Sequence, residues 1–193
     1  MALRHEGPRY DVPKAAPEPL RKVQLFVNSV DREHDAEWLA TPADLTALLG
    51  TLGLDPARAA TAPELERAHD LREALRVLLH AATDGRAPDG EALATVNAIA
   101  SDGRLTVELD ERGRPKLVAT EPGVAGSLAA LVGIFATAAL DGGAERLKAC
   151  RQCGWAFYDY SRNRTATWCS MSICGNRLKT RRYRERSSAA RSA

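Results

Sequence analysis

Four cysteines are the residues of this chain whose type and spacing can do chemistry. All lie in the last 44 of 193 residues, as Cys150-x2-Cys153, then 15 residues, then Cys169-x4-Cys174. Each short spacing presents two thiolates to one cation, and the loop between them folds the two pairs together. This is the ligand pattern of a tetrahedral Zn²⁺ site. Two disulfides fit the pattern less well, because Met1 to Pro19 has no apolar core and reads as neither a signal peptide nor an anchor. A cytoplasmic chain keeps its thiols reduced. The expected cofactor is therefore one structural Zn²⁺ held by Cys150, Cys153, Cys169 and Cys174. Four thiolates leave no vacant position for water or substrate, so the zinc is not a catalytic one. They also leave a formal charge of about −2, which Arg151, Arg162, Arg164 and Arg177 can offset.

The charge around these cysteines is lopsided. Residues 144–193 hold 12 Lys and Arg against three acids, a net of +9; residues 1–143 hold 15 against 22, a net of −7. A basic appendage on an acidic body seeks a polyanion. From Asn176 to Ser188 there is neither Gly nor Pro, and Arg, Lys and Leu favour helix. On that helix Arg177, Arg181 and Arg184 form one stripe, and Lys179, Arg182 and Arg186 form a second on roughly the opposite side. Basic residues on two sides suit a groove with phosphate walls. Asn176 and Arg177 stand at its start, where Asn can read adenine and Arg guanine. Arg162, Asn163 and Arg164, in the loop between the cysteine pairs, are further candidates for nucleic-acid contact. Trp155, Phe157 and Tyr158 read as a small core of this module rather than a base-stacking platform.

Taken in order, Cys150-Arg-Gln-Cys-Gly-Trp-Ala-Phe, Asp159-Tyr-Ser-Arg-Asn-Arg, Trp168-Cys-Ser-Met and Cys174-Gly-Asn-Arg resemble the CGNR zinc finger of bacterial proteins. The segments Leu25-Phe-Val-Asn-Ser-Val-Asp and Leu71-Arg-Glu-Ala-Leu-Arg-Val-Leu-Leu resemble its usual companion, the ABATE domain, over most of residues 20–140. The resemblance implies a stress-related transcriptional regulator. Related fingers carry more basic residues just before the Trp, where this chain has Thr165-Ala166-Thr167. That shifts the expected phosphate contacts toward the C-terminal helix.

The elements that must carry the finger read as mostly helical. Val23, Phe26, Val27 and Val30 mark one face of a first helix. Thr41-Pro-Ala-Asp44 and Thr61-Ala-Pro-Glu64 are capping signals for two more, and Asp89 starts a fourth ending at Asp102-Gly103. Leu105–Leu109 and Lys116–Thr120 flank a turn containing Gly113, a β-hairpin pattern. Pro122 to Leu140 is an apolar helix; with Ala and Gly prominent and no Trp or Tyr anchors, it reads as a bundle core rather than a membrane span. The expected fold is mainly α: a helical N-terminal domain with one β-hairpin, and a small C-terminal four-cysteine zinc-finger module ending in a basic helix. The expected divisions are a flexible lead-in over 1–19, an α-rich domain over 20–143, the finger over 144–186 and a disordered tail over 187–193. A hinge at Asp141-Gly142-Gly143 predicts that a fragment ending there folds alone.

The body offers little chemistry of its own. Histidines 5, 34, 69 and 80 are scattered, with no Ser/His/Asp set, no Gly-rich phosphate loop and no HExxH. An enzyme is not expected. Asn28 and Arg72, polar beside apolar stripes, could line a pocket for a small effector, and the body could instead pair with a second copy. DNA binding with an N-terminal sensor or oligomerisation domain is the expected function. An RNA-binding protein and an adaptor that docks an acidic protein through its finger are the alternatives.

Overall fold

The structure, a computed structural model, describes residues 14–176 and Thr180. Arg177, Lys179, Arg181, Arg182, Arg184 and Arg186, together with the tail from Ser187, lie outside the described residues, as does the lead-in before Lys14.

Local sequence sets the helices where the caps ask for them. Helix α1 is Leu20–Val27. In α2 (Pro42–Thr51), Pro42 takes the first helical position, and Thr41 and Asp44 bond each other's backbone amides at 3.3 and 2.9 Å. Helix α3 (Ala62–Asp84) begins with the same box, Thr61 with Glu64, and stops at Gly85, which takes a left-handed φ of 64° that disfavours any side chain. Asp89 caps α4 (Gly90–Asp102) by accepting from the Ala92 amide at 2.9 Å. Strands β3 (Leu105–Leu109) and β4 (Pro115–Ala119) form the expected antiparallel hairpin.

The apolar helix α5 spans Gly123–Leu140. It is long and apolar enough to cross a membrane by length and composition, yet it packs against α4, α1 and the hairpin. Val124, Leu128, Leu131 and Val132 are buried there beside Phe26, Leu75 and Leu79. The fit with α4 is tight. A Cβ on Gly103 would sit 2.2 Å from the Ala129 methyl and 2.6 Å from the Ala125 carbonyl oxygen.

Two further two-stranded pairings are too short to announce themselves by alternation. One links β1 (Val30–Asp31) to β2 (Ala36–Glu37) just after α1. The other, β5 (Leu147–Ala149) with β6 (Ala156–Tyr158), brackets the first cysteine pair. Leu147, Ala149, Ala156 and Tyr158 are buried in the same apolar cluster as α1, α3 and α5. The finger's hairpin is thus part of the body's core.

The segment from Lys14 is bonded to residues far along the chain and in α1. The Lys14 carbonyl accepts from the Tyr158 amide at 3.0 Å, and the Ala16 amide donates to the Gln24 side chain at 2.7 Å. Proline-rich composition does not name such partners far along the chain.

Candidate metal centre and its supports

Strand β5 ends at Ala149, and the chain turns through Cys150 and Cys153 before returning as β6. Gly154 makes that turn at φ 71°, a left-handed conformation suited to glycine. The second pair comes from the far side of the loop, where Cys169 precedes a short π-helical turn over Met171–Gly175 that carries Cys174. The four sulfurs lie within 4.8 Å of one another. Cys169 is 3.6 Å from Cys174, and Cys153 is 3.7 Å from both. Four sulfurs on Zn²⁺ at about 2.3 Å stand about 3.8 Å apart in a tetrahedron. The donor set fits one zinc ion.

Electrostatics at the cluster argue the same way. Hydrogen bonds from the Cys153 and Cys169 thiols, more than enough to overcome burial, push Cys150 well down toward the thiolate. The bond to Cys150 in turn raises Cys153 to about 12, and the bonds to Cys150 and Cys153 raise Cys169 strongly. Burial, and then the Cys150 charge, raise Cys174. Four buried sulfurs this close cannot all be anionic without a cation among them, and a dication lets all four serve as thiolates, the form that binds metal.

A small apolar shell surrounds the sulfurs. Trp155 and Phe157 are buried against Cys150, Cys169 and Cys174, with Trp168 and Trp38 packed at the edge. Trp38 comes from the body and meets Trp155 edge-on, ring centroids 6.2 Å apart. Trp155 and Phe157 form the module's core as expected, whereas Tyr158 turns the other way into the body.

Side chains of the body grip the finger's backbone on both sides of the first cysteine pair. The Asn28 amide both accepts from the Ala156 N–H (2.7 Å) and donates to its carbonyl (2.9 Å), as a neighbouring strand would. Thr83 does the same for Ala149, accepting at 3.1 Å and donating at 2.9 Å. Arg76, only 2% exposed, donates to the Gly154 carbonyl at 2.6 Å and to the Val27 carbonyl at 2.5 Å. Its Nε also reaches Glu73 at 3.2 Å. Under the loop, Lys148 and Asp159 form a buried ion pair at 3.0 Å. Burial works to raise the Asp159 pKa, but hydrogen bonds from Ser161, Lys148 and the Ala166 amide outweigh it and hold the carboxyl at about 2.

Arg76 is the support with the clearest consequence. Arg76→Met keeps the apolar stem and removes the donors, stranding two carbonyls at about 1–3 kcal/mol each. Urea unfolding of zinc-loaded protein should show that combined loss, with zinc still bound in the folded state. A variant as stable as the wild type would show that Arg76 does not hold the finger to the body.

The residues singled out from sequence fall in three groups. The cysteines converge. Asn28 and Arg72 have internal partners: Asn28 serves Ala156, and Arg72 makes a two-pronged bond to Glu37 at 2.7 Å on each arm while its Nε reaches Glu73 at 3.0 Å. Asn28 borders a groove beside the finger; Arg72 does not. Arg162, Asn163 and Arg164 are exposed on the loop between the cysteine pairs, Arg164 paired with Glu145. Arg151, expected to balance the sulfurs, is paired with Asp84 at 2.7 Å. Asn176 is exposed just after the second pair, its amide 3.4 Å from the Ser172 carbonyl. Sequence reasoning missed Gln24, Arg76, Thr83, Lys148 and Asp159. An Arg inside the apolar stripe of α3 was the available signal, and it pointed to Arg72 as readily as to Arg76.

Residues 22–143 match the ABATE family, described as "Putative stress-induced transcription regulator". Residues 146–187 match the CGNR zinc finger. No curated protein matches the chain.

Proposed function

The chain belongs to the ABATE family and carries a CGNR zinc finger behind that domain, and from this premise we propose that it is a transcriptional regulator that binds double-stranded DNA through the finger. One observation carries the reading. The basic residues of the chain concentrate where the zinc centre ends, six Lys and Arg between Arg177 and Arg186, while residues 1–143 are net negative. Phosphate is attracted to one end of the molecule and repelled from most of the rest, which orients the approach. Asn176 and Arg177 are the candidates for base reading; Lys179, Arg181, Arg182, Arg184 and Arg186, with Arg162, Asn163 and Arg164, are the candidates for the backbone. In this reading the zinc shapes the finger, and the protein acts by binding rather than catalysis, in the cytoplasm. The helical body is the half that answers an effector or pairs with a second copy.

Each phosphate engaged releases counterions and adds about −0.9 to the slope of log K against log salt. Replacing Lys179, Arg182 and Arg186 together with Ala should weaken binding to every duplex and flatten that slope by about one unit for each phosphate no longer engaged. Fluorescence anisotropy with random-sequence duplexes, and metal analysis of each variant, make the comparison. Equal binding by wild type and triple variant would remove the groove-binding helix from the reading. Tighter binding to matched RNA would replace DNA as the target.

A further inference from the structure

A groove opens where the segment after Lys14, helix α1 and the finger meet. Lys14, Arg21 and Asn28 form its body side, and Trp155 and Phe157 its finger side, around a space of about 500 Å³ open to solvent. None of its lining residues is acidic. Around the finger Arg151 pairs with Asp84, Arg164 with Glu145 and Arg32 with Glu73. Neither cation of the groove makes an ion pair among the described residues. The Lys14 ammonium is held by the Trp168 carbonyl at 2.8 Å and stands 4.7 Å from the centre of the Phe157 ring, neither of which neutralises it. Arg21 is half-buried and makes no ion pair among the described residues.

Two cations held in one concave, partly desolvated place with no carboxylate among its lining residues attract an anion, the zinc-bound Cys169 thiolate on the wall offsetting part of their charge. The amides of Gln24 and Asn28 are bonded to the backbone of Lys14, Ala16 and Ala156, so they shape the walls and leave binding to the charges. Cys169 also lines the groove. In the sequence the basic segment that starts at Arg177 follows Cys169 after Met171–Gly175 and Asn176. We propose that this groove seats a backbone phosphate of the bound nucleic acid, with Lys14 and Arg21 as its ligands. The inference rests on the DNA-binding reading above. It makes the body, despite its negative net charge, a part of the interface and fixes the angle at which the body stands off the duplex.

The test uses the full-length zinc-loaded protein and a random-sequence duplex between about 50 and 200 mM salt. Arg21→Ala should bind several-fold more weakly, with the salt slope reduced by about 0.9, and Arg21→Glu should bind more weakly still. Zinc content and melting temperature should match wild type. Lys22→Ala, one residue away but outside the groove, removes the same charge and should change binding far less. Unchanged affinity and slope in both Arg21 variants, or an equal loss in Lys22→Ala, would overturn the groove while the Lys179/Arg182/Arg186 variant still reports on the finger. A wild-type protein that binds no duplex overturns both.

Discussion

Replacing any one of Cys150, Cys153, Cys169 or Cys174 with Ser should abolish stoichiometric zinc and unfold the knuckle between β5 and β6 together with the loop that carries the second pair. Zinc binding in small four-ligand modules contributes about 10–16 kcal/mol, against a total stability of about 5–15 kcal/mol for a domain. The shell around the sulfurs amounts to Trp155, Phe157 and a few neighbours, too little to hold the loop without metal. The damage should have a defined edge. Ala149 is bonded to Thr83, and Leu147 is buried among residues of α1 and α3, so β5 should persist while the knuckle beyond it frays. Helices α2, α4 and α5 should keep their amide protection. Elemental analysis with hydrogen exchange reads both halves. Full zinc in any of these Cys→Ser variants, or unchanged protection of residues 150–154 and 161–170, would contradict the assignment.

A fragment ending at Gly143 should lose cooperative folding, the second large effect. Sequence alone marks Asp141-Gly142-Gly143 as a hinge between independent parts, and the packing points the other way. Removing the finger strips Leu147, Ala149, Ala156 and Tyr158 from the central cluster and uncovers α1 and α3. A buried Leu- or Tyr-sized side chain contributes about 1.5–3 kcal/mol, so the apolar loss alone reaches about 5 kcal/mol. Asn28, Thr83 and Arg76 then lose partners that they bond directly, at about 1–3 kcal/mol for each group left buried and unpaired. The sum is comparable with the whole stability of a domain. Size-exclusion chromatography and near-ultraviolet circular dichroism of the fragment beside the full chain make the measurement. A soluble fragment with a sharp melt near that of the full chain would show that the body needs nothing from the finger.

These two effects meet at one seam, and the seam gives the regulator reading a physical route. The knuckle's backbone is bonded at Ala149, Gly154 and Ala156 by side chains from α1 and α3 and the residue just after α1. A shift of either helix moves the frame that carries Cys150 and Cys153. The body is thereby tied directly to the backbone that carries the first cysteine pair.

What the sequence by itself determined were features written in neighbouring residues. Two short cysteine spacings declare a four-thiolate site because each pair is local and a single ion needs only that the pairs meet. Thr41 with Asp44, Thr61 with Glu64, and Asp89 set helix starts because a cap is satisfied within one turn. The β3–β4 hairpin follows from five-residue strands around a Gly turn. Tertiary structure alone decided which polar residues carry the architecture. Gln24, Asn28, Arg76 and Thr83 bond backbone 66 to 132 residues away, apart from contacts made nearby, and nothing in the spacing of α1 or α3 names such partners. It decided also that Arg72 closes an ion pair with Glu37, and that the finger shares the body's core. A hydrophobic pattern shows that a face must be covered, whereas only the packed chain shows what covers it.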